Sequence, residues 1–230
     1  MKLSMLPSLS FIIPAYRDED TIECVVRDAV RVGKKVAKQF EIIVINDASP
    51  DQTGEVLIKL TKTIKELQVI THTDNTGYGG TIRDLYYAGK CEWLYSMPGD
   101  NQIPAEEVMK LIPHTPKADM IIGWRVNRQD PPERLRQSKI YNWLLRVLFG
   151  LTLHDVNSVR LVKKKLFDRI ILHSRSAFVD AELAIRAKRL GFRTLEVPIA
   201  HRGRDSTGAG GGKLRTILPT IWDMLKFRIL

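Results

Sequence analysis

The sequence predicts an α/β fold with a mostly parallel central sheet flanked by helices, followed by C-terminal amphipathic helices. Short apolar runs alternate with stretches of helical periodicity through the first half of the chain, an order typical of strands joined by crossover helices. The apolar share of 44% is sufficient for a buried core. Five apolar runs are predicted as strands: Leu9–Ile13, Glu41–Ile45, Leu67–Thr71, Trp93–Met97 and Met120–Gly123.

The stretches between these runs predict helices that cover the sheet. In the first stretch, Ile22, Val25 and Val26 begin an apolar stripe at helical spacing. A Gly-rich turn precedes the third. The four predicted helices span Thr21–Val36, Thr53–Ile64, Gly77–Ala88 and Ala105–Ile112.

A length of 230 residues fits one compact domain with a C-terminal extension. We expect that domain to span 1–213 and an amphipathic helix to span 214–230. Cys24 and Cys91 have neither metal nor redox spacing and suit a reducing compartment. The N-terminus lacks a secretory pattern, and no run approaches the ~18 apolar residues that a spanning helix needs. These features predict a cytoplasmic protein that touches a membrane without crossing it.

Charge is distributed unevenly along the chain. Residues 1–130 contain 16 Lys and Arg against 18 Asp and Glu, a net of −2, whereas residues 131–230 contain 20 against 8, a net of +12. The basic half suits phosphate groups or an anionic lipid surface. A nucleic acid partner and a simply solvated basic surface remain alternatives at this point.

Two stretches near the C-terminus, Arg134–Leu153 and Thr216–Leu230, mix basic, apolar and aromatic residues. The first contains Tyr141 and Trp143, and the second contains Trp222. Basic amphipathic helices with such aromatics can lie in the plane of a membrane interface. We therefore expect peripheral membrane contact, with 134–153 as an interfacial helix. The alternative is that both helices pack on the sheet or on a second copy of the chain in a homo-oligomer.

Polar clusters follow four successive predicted strands, at residues 14–19, 46–51, 74–80 and 98–102. Asp, Asn, Gly and Pro are ordinary turn residues, so any one cluster is unremarkable. The carboxyl ends of parallel strands, however, meet at one edge of a sheet, where open α/β sheets bind their ligands. Four clusters together favour a shared site.

The residue types in these clusters suggest how a nucleotide would be held. Asp100 and Gln102 supply oxygens at i and i+2 and could hold a divalent cation, with a diphosphate completing its shell. Asp47 could accept hydrogen bonds from a nucleobase, and Tyr16 could line the base or ribose. The Gly-rich turn in the cluster at residues 74–80 is neither a P-loop nor a dinucleotide fingerprint. Its glycines nevertheless allow the backbone to approach a ligand closely. Those glycines are Gly77, Gly79 and Gly80.

Taken in order, these motifs resemble those of the family 2 glycosyltransferases with the GT-A (Rossmann-like) fold. The likeness is greatest to the polyprenyl-phosphate branch and runs from about Leu9 to Lys213. It is carried by the segments SFIIPAYRDEDTI, IIVINDASPDQT, NTGYGGTIRDLYYAG, YSMPGDNQIPAEEV, IIGWRVNR, GLTLHDVNSVRLVKK and FVDAELAIRAKRLGFRTLEVPIAHRGR.

The resemblance implies a nucleotide-sugar site with a metal at the strand ends. Asp47 would recognise the base or ribose, and Asp100 with Gln102 would bind Mg²⁺ or Mn²⁺. The residues implied to bind the nucleotide sugar are Pro14, Ala15, Tyr16, Glu19, Asp47, Ser49, Gly77, Gly80, Asp100 and Lys213.

The resemblance also implies catalytic and acceptor groups. Arg125 and Arg128 would face the diphosphate or the acceptor phosphate, and a flexible loop with Arg202, Arg204 and Lys213 would close over the diphosphate. Asp155 and Asn157, with Arg128, would shape the sugar or acceptor pocket. Asp180 and Glu182 occupy the stretch where other members keep a catalytic base, although acids there can also cap a helix. The implied catalytic groups are Asp100, Arg125, Arg202, Arg204, Asp180 and Glu182.

Two departures from the family pattern each remove one carboxylate. Asn46-Asp47 stands where an Asp-Asp pair is usual, and Pro98-Gly99-Asp100 stands where Asp-x-Asp is usual. We therefore expect weaker metal binding or a different sugar or base preference. A catalytically impaired relative remains an alternative.

The reaction implied by the resemblance is inverting transfer of a sugar from a UDP- or GDP-linked donor to a polyprenyl phosphate, at the cytosolic face of a membrane. A second possibility is a glycan or protein hydroxyl as acceptor, for which Asp180 or Glu182 must supply a base. A third is a non-catalytic binding module. Strand-end motifs, rather than a basic groove with spaced aromatics, argue against nucleic acid as a partner.

Overall fold

The computed structural model describes residues 5–128, 130–203 and 214–229. Its strands form one sheet in the order β3-β2-β1-β4-β6-β5-β7. All pairs are parallel except those that β6 makes with β4 and β5, which confirms the predicted mostly parallel sheet. The strands are β1 (Leu6–Ala15), β2 (Ala37–Asn46), β3 (Leu67–Thr71), β4 (Trp93–Ser96), β5 (Met120–Arg125), β6 (Arg160–Lys163) and β7 (Thr194–Ile199).

Helices flank this sheet in the crossover pattern that the sequence predicts. They are α1 (Ile22–Val36), α2 (Thr53–Thr61), α3 (Gly77–Ala88), α4 (Val108–Leu111), α5 (Pro132–Phe149), α6 (Val179–Arg189) and α7 (Leu214–Ile229). Three differ from expectation. Helix α2 ends at Thr61, three residues before the predicted end at Ile64. The stretch 105–112 is only one α-helical turn between 3₁₀ turns, because Pro104 and Pro113 bracket it. Helix α5 ends before residue 153, because Gly150 takes a left-handed conformation with φ 63°.

Alternating residues of the strands enter two separate apolar layers. In β1, Phe11 and Ile13 pack with α1 on one face of the sheet. Ile12, between them, packs on the opposite face with α3, α5 and α6. Phe11, Ile12 and Ile13 are all fully buried. The sheet is therefore covered on both sides, and its carboxyl edge is left for the loops.

Helix α7 packs on the second layer. Met224 is 3% exposed in the cluster that contains Leu145 of α5. The ring of Phe227 lies beneath the guanidinium groups of Arg186 and Arg189, at 5.0 and 5.1 Å. The expected domain boundary at residue 213 falls at the end of a segment, 204–213, that lies outside the described residues. Among the residues described, no helix is both long and apolar enough to cross a bilayer.

A close contact between α3 and the chain before α6 fixes the position of α3. A Cβ atom added to Gly79 would lie 2.1 Å from the carbonyl oxygen of Ser176 and 2.4 Å from the carbonyl carbon of Arg175. Only glycine allows the two backbones to approach so closely. Gly79 therefore serves the packing of α3 within the protein.

We predict that Gly79→Ala lowers the free energy of unfolding by about 1–3 kcal/mol, because the new methyl group must displace the backbone at Ser176. Urea denaturation followed by circular dichroism measures this. Gly203→Ala is the matched control, since its Cβ would meet no atom of the described residues within 4 Å. Equal stability of the two variants would contradict the packing role.

Candidate functional site

Strained backbone marks the carboxyl edge of the sheet. In the described part of the chain, four non-glycine residues have positive φ: Arg17, Ala48, Asn101 and Asn127. They follow the carboxyl ends of β1, β2, β4 and β5, respectively. Such conformations cost roughly 1–3 kcal/mol each and cluster at functional sites. The strain supports a functional edge where the sequence predicts one.

The loops after β1 and β4 meet at the point where the strand order reverses. Thr21 Oγ1 donates a hydrogen bond to the carbonyl oxygen of Gly99 at 2.8 Å. A Cβ on Gly99 would lie 2.9 Å from Asp18 Oδ2 and 3.0 Å from Pro14 O. The two predicted clusters at 14–19 and 98–102 are therefore in direct contact, at the crevice where open α/β sheets bind ligands.

The loop after β1 is also joined to the loop after β2. The backbone N–H of Gln52 donates to Glu19 Oε2 at 2.8 Å. The N–H of Arg17 donates to Ser49 Oγ at 3.3 Å, and its guanidinium lies 5.5 Å from the ring centre of Tyr16. Glu19, Ser49 and Tyr16 are thus neighbours, as the resemblance implies. Ala15, in contrast, is buried in β1 and reaches the edge only through its backbone.

Asp47 is 3% exposed, and its carboxylate holds the loop before α3. Oδ1 accepts from Thr76 N at 2.8 Å, Oδ2 accepts from Gly77 N at 2.8 Å, and His72 Nδ1 lies 2.8 Å from Oδ1. In this structure the Asp47 carboxylate is bonded to the start of α3, and its expected role in recognising a base or ribose stays a prediction.

The glycines of the third cluster have separate functions. Gly77 has φ 73° and open space around its Cα, so it alone fits the expected approach of a ligand. A Cβ on Gly80 would lie 2.7 Å from Thr76 Oγ1, and Gly79 contacts Ser176. Gly79 and Gly80 therefore make room for protein atoms, and the approach of a ligand to this turn stays a prediction.

The loop with Asp100 and Gln102 is joined to the chain after β7. Asp100 Oδ1 accepts from the N–H of Gln102 at 3.1 Å. The N–H of Arg202 donates to Gln102 O at 2.9 Å, and Gln102 Nε2 lies 3.5 Å from Arg202 O. The tertiary fold thus brings Asp100 and Gln102 together with Arg202, which lies 100 positions after Gln102 in the sequence.

Sequence reasoning gave no role to His201, which the fold places beside this loop. Burial lowers the pKa of its imidazole, and so do the charges of Arg125 and Arg128, while Asp130 and Asp100 oppose the shift. The ring is therefore neutral near pH 7, the form that binds metals. Its position directly after an apolar strand, between Ala200 and Arg202, is the signal that could have found it.

The side-chain oxygens of Asp100 and Gln102 fit a divalent cation only if a bound diphosphate supplies further oxygens. Asp100 supplies one carboxylate and Gln102 one amide oxygen. No group of three His, Cys, Asp or Glu side chains in the described ranges is arranged to hold a metal. A hard cation takes about six oxygen ligands, so diphosphate oxygens must complete the shell.

Arg125, Arg128, Asp155 and Asn157, to which the resemblance gives roles at the diphosphate or acceptor, lie in one cluster. Arg125 binds Asp155 in a bidentate pair at 2.7 and 2.8 Å and donates to Asn157 O at 3.2 Å. Arg128 lies 3.7 Å from Asp155 Oδ1 and 2.8 Å from Asp130 Oδ2. Each guanidinium therefore has an acidic partner, and the positive charge available to a phosphate is smaller than the arginine count suggests.

Asp180 lies beneath this cluster and is fully buried. Its Oδ1 is 3.0 Å from Arg160 Nη2, and its Oδ2 accepts from the hydroxyl of Tyr78 at 2.9 Å. Burial raises the pKa of Asp180, while Arg160 and the hydrogen bond from Tyr78 oppose the shift. In this structure the carboxylate is enclosed by Arg160 and Tyr78, and its role as a catalytic base stays a prediction.

Glu182 is also fully buried. Its carboxylate accepts from the N–H groups of His173 and Ser174, at 3.1 and 2.8 Å, and from Arg186 Nε at 2.8 Å. The carboxylate holds the chain that leads into α6, and its role as a catalytic base stays a prediction as well. Arg204 and Lys213, expected over the diphosphate, lie outside the described residues.

Comparison with known proteins agrees with this architecture. The family described as "Glycosyl transferase family 2" matches residues 10–175. Undecaprenyl-phosphate 4-deoxy-4-formamido-L-arabinose transferase from Photorhabdus laumondii is 25% identical over 210 residues, 89% of this chain and 63% of that protein. The protein of the same name from Edwardsiella ictaluri is also 25% identical, over 91% of this chain and 64% of its own. The chain thus spans less than two thirds of the length of these curated relatives.

Solved structures share the fold. Glucosyl-3-phosphoglycerate synthase from Mycobacterium tuberculosis, in complex with Mn²⁺, UDP-glucose and phosphoglyceric acid, superposes with a TM-score of 0.75. It is 16% identical, over 97% of this chain and 80% of that one. The same enzyme with Mg²⁺ and UDP gives 0.67 at 15% identity, over 88% and 73%. At this identity the likeness shows the GT-A fold alone.

We predict that Arg160→Met lowers the free energy of unfolding by about 3–5 kcal/mol, because it leaves the buried charge of Asp180 uncompensated. Adding Asp180→Leu should restore much of the loss, since the site then contains no unpaired charge. Urea denaturation of the single and double variants measures both.

The exposed pair of Arg27 and Glu23, whose side chains are 57% and 54% exposed, supplies the control. Arg27→Met should change the free energy of unfolding by less than about 0.5 kcal/mol. A double variant at residues 160 and 180 that is no more stable than Arg160→Met would contradict the ion-pair account.

Proposed function

This chain belongs to glycosyl transferase family 2, and on that basis we propose that it transfers a sugar from a UDP- or GDP-linked donor to a polyprenyl phosphate. The names of the relatives, undecaprenyl-phosphate sugar transferases, support this acceptor class. The observation that carries the proposal is the joined edge at which the loops after β1, β4 and β7 meet. We place the reaction at the cytosolic face of a membrane.

The donor nucleotide lies, in this proposal, across the loops after β1 and β2. Pro14, Tyr16, Glu19 and Ser49 border it there, and Gly77 provides open backbone on the side of α3. Because hydrogen bonds between the loops fix these groups beforehand, little ordering is needed when the nucleotide binds.

The leaving diphosphate lies beside Asp100, Gln102 and His201. A bound Mg²⁺ or Mn²⁺ supplies Lewis-acid neutralisation of the charge that develops on the diphosphate. Asp100 and Gln102 would hold that cation, with diphosphate oxygens as its further ligands. Arg202 positions the loop through its backbone contacts with Gln102, and Arg204 with Lys213 is proposed to add positive charge. The single carboxylate at this site predicts weaker metal binding than a pair of acids would give.

The burial of Asp180 and Glu182 favours a phosphate acceptor over a hydroxyl. A hydroxyl acceptor requires a general base, and neither carboxylate can reach one. A lipid phosphate is already an anion near pH 7 and attacks the anomeric carbon without losing a proton. We propose that Arg125 and Arg128 orient this phosphate, with Asp155 and Asn157 completing the pocket.

The exposed faces of α5 and α7 suit the membrane surface on which such an acceptor lies. Ile140, Trp143 and Val147 of α5 are 60, 60 and 61% exposed, at helical spacing. Leu218 and Trp222 of α7 are 63 and 69% exposed. An apolar stripe flanked by lysine and arginine can enter the headgroup region of an anionic bilayer. A second copy of the chain remains an alternative partner for this surface.

We predict that Asp100→Asn abolishes metal-dependent turnover of a UDP- or GDP-sugar and leaves the unfolding transition unchanged, because the cation loses the one carboxylate that holds it. A panel of both donor types with Mn²⁺ or Mg²⁺ and a polyprenyl phosphate measures turnover. Asp20→Asn, an exposed acid at the same edge, is the control.

Turnover of Asp100→Asn within a few-fold of the wild type would remove Asp100 from the mechanism. Nucleotide binding by the wild type with no turnover of any donor would favour a binding module. If calorimetry detects no binding of any nucleoside diphosphate in the presence of Mn²⁺ or Mg²⁺, the transferase proposal itself is wrong.

We predict that Trp143→Ser with Val147→Ser weakens binding to phosphatidylglycerol vesicles roughly tenfold, because it removes exposed apolar area from α5. Flotation measures this, and rising salt should weaken wild-type binding. Ile58→Ser is the control, since Ile58 is 59% exposed on α2. Equal flotation of all three proteins would mean that α5 does not face the lipid.

A further inference from the structure

Helix α7 is connected to the first turn of α3 through one short segment, residues 173–178. Asp223 of α7 accepts two hydrogen bonds from Ser176, at 2.7 Å from Oγ and 3.2 Å from the backbone N–H. The Ser176 hydroxyl also accepts from the N–H of Phe178 at 3.2 Å. A carboxylate of the C-terminal helix thus fixes the turn that leads into α6.

The other side of this segment touches α3. The carbonyl oxygen of Ser176 stands 2.1 Å from where a Cβ on Gly79 would be, so the two backbones are in van der Waals contact without an intervening side chain. A contact between backbones cannot be absorbed by a change of rotamer. If Ser176 shifts, either Gly79 or the residues around Ser176 must therefore shift with it.

The first turn of α3 borders the proposed donor site. Gly77 donates its N–H to Asp47, and the hydroxyl of Tyr78 reaches Asp180. Glu182 holds the start of the 173–178 segment through His173 N and Ser174 N, and the contact to Asp223 holds its middle. The position of the α3 turn depends on both carboxylates, of which only Asp223 comes from α7.

We propose that Asp223 is a positioning residue for the nucleotide site, because it holds Ser176 against Gly79 and so fixes the first turn of α3. This inference rests on the proposed function in that the turn borders the donor. It goes beyond that function by making the docking of α7 a determinant of donor affinity, without contact between α7 and the donor.

The test compares Asp223→Ala, Asp223→Asn and the wild type by amide hydrogen exchange of the stretch 76–82 and by calorimetry with UDP and GDP in the presence of Mn²⁺. We expect Asp223→Ala to raise exchange in that stretch and to weaken nucleotide binding, each roughly tenfold, the size expected for loss of charge-assisted hydrogen bonds. Turnover assays should show a raised donor KM with kcat within about twofold, since the contact acts on the bound ground state and the transition state alike.

Asp223→Asn keeps an acceptor oxygen for Ser176 and should remain within about threefold of the wild type. Asp168→Ala, an exposed acid at the opposite edge of the sheet, is the matched control and should change neither readout. If Asp223→Ala does not fold, Ser176→Ala keeps the backbone N–H bond to Asp223 and removes the 2.7 Å bond together with the acceptor for Phe178 N. This variant should shift both readouts in the same direction by a smaller factor.

Wild-type exchange and wild-type nucleotide affinity in the Asp223→Ala protein, or in Ser176→Ala where that variant replaces it, would overturn the inference. Equal impairment of the Asn and Ala variants would overturn it too, because hydrogen bonding would not then be the cause. If the wild type binds no nucleotide, the proposed function fails, and the exchange of residues 76–82 still decides the role of Asp223.

Discussion

Carboxylates that accept hydrogen bonds from backbone N–H groups hold the carboxyl edge of this protein in place. Asp47 bonds the start of α3, and Glu182 bonds the chain before α6. Removing a charged group from water is costly, and these N–H groups replace the lost hydration. The loops of the site are consequently fixed before a ligand arrives, which is the condition for electrostatic preorganisation.

The same bonds explain how the edge tolerates strained backbone. Ala48 and Asn101 hold left-handed conformations in which an L side chain crowds its own backbone. Ser49 N donates to the side chain of Asn46, and Gln102 N to that of Asp100, so each strained residue is enclosed by a short side-chain bond. Because the surrounding bonds determine the conformation, the strain persists at the positions where a ligand is proposed to bind.

The ionic groups near the edge divide into two layers. Arg160 and Asp180 are fully buried and neutralise one another below the site. Arg125 and Asp155 form the next pair, close enough to the edge to orient a phosphate while already satisfied. Pairing of this kind limits unspecific attraction of anions, and a proposed acceptor must match the geometry of the remaining donors rather than the net charge alone.

The sequence by itself determined the sheet and the edge at which a site could form. Each of the five predicted strands coincides with an observed strand to within one residue or lies inside it, because apolar runs of four or five residues bounded by turn residues are too short for helices. The strands β6 and β7 escaped prediction, since one has four residues with a buried arginine and the other alternates and contains Pro198. The tertiary structure alone decided which acids face the site. Asp47 and Asp180 find their partners 30 and 102 residues away, in Gly77 and Tyr78, and only folding turns such carboxylates toward protein N–H and O–H groups instead of a ligand.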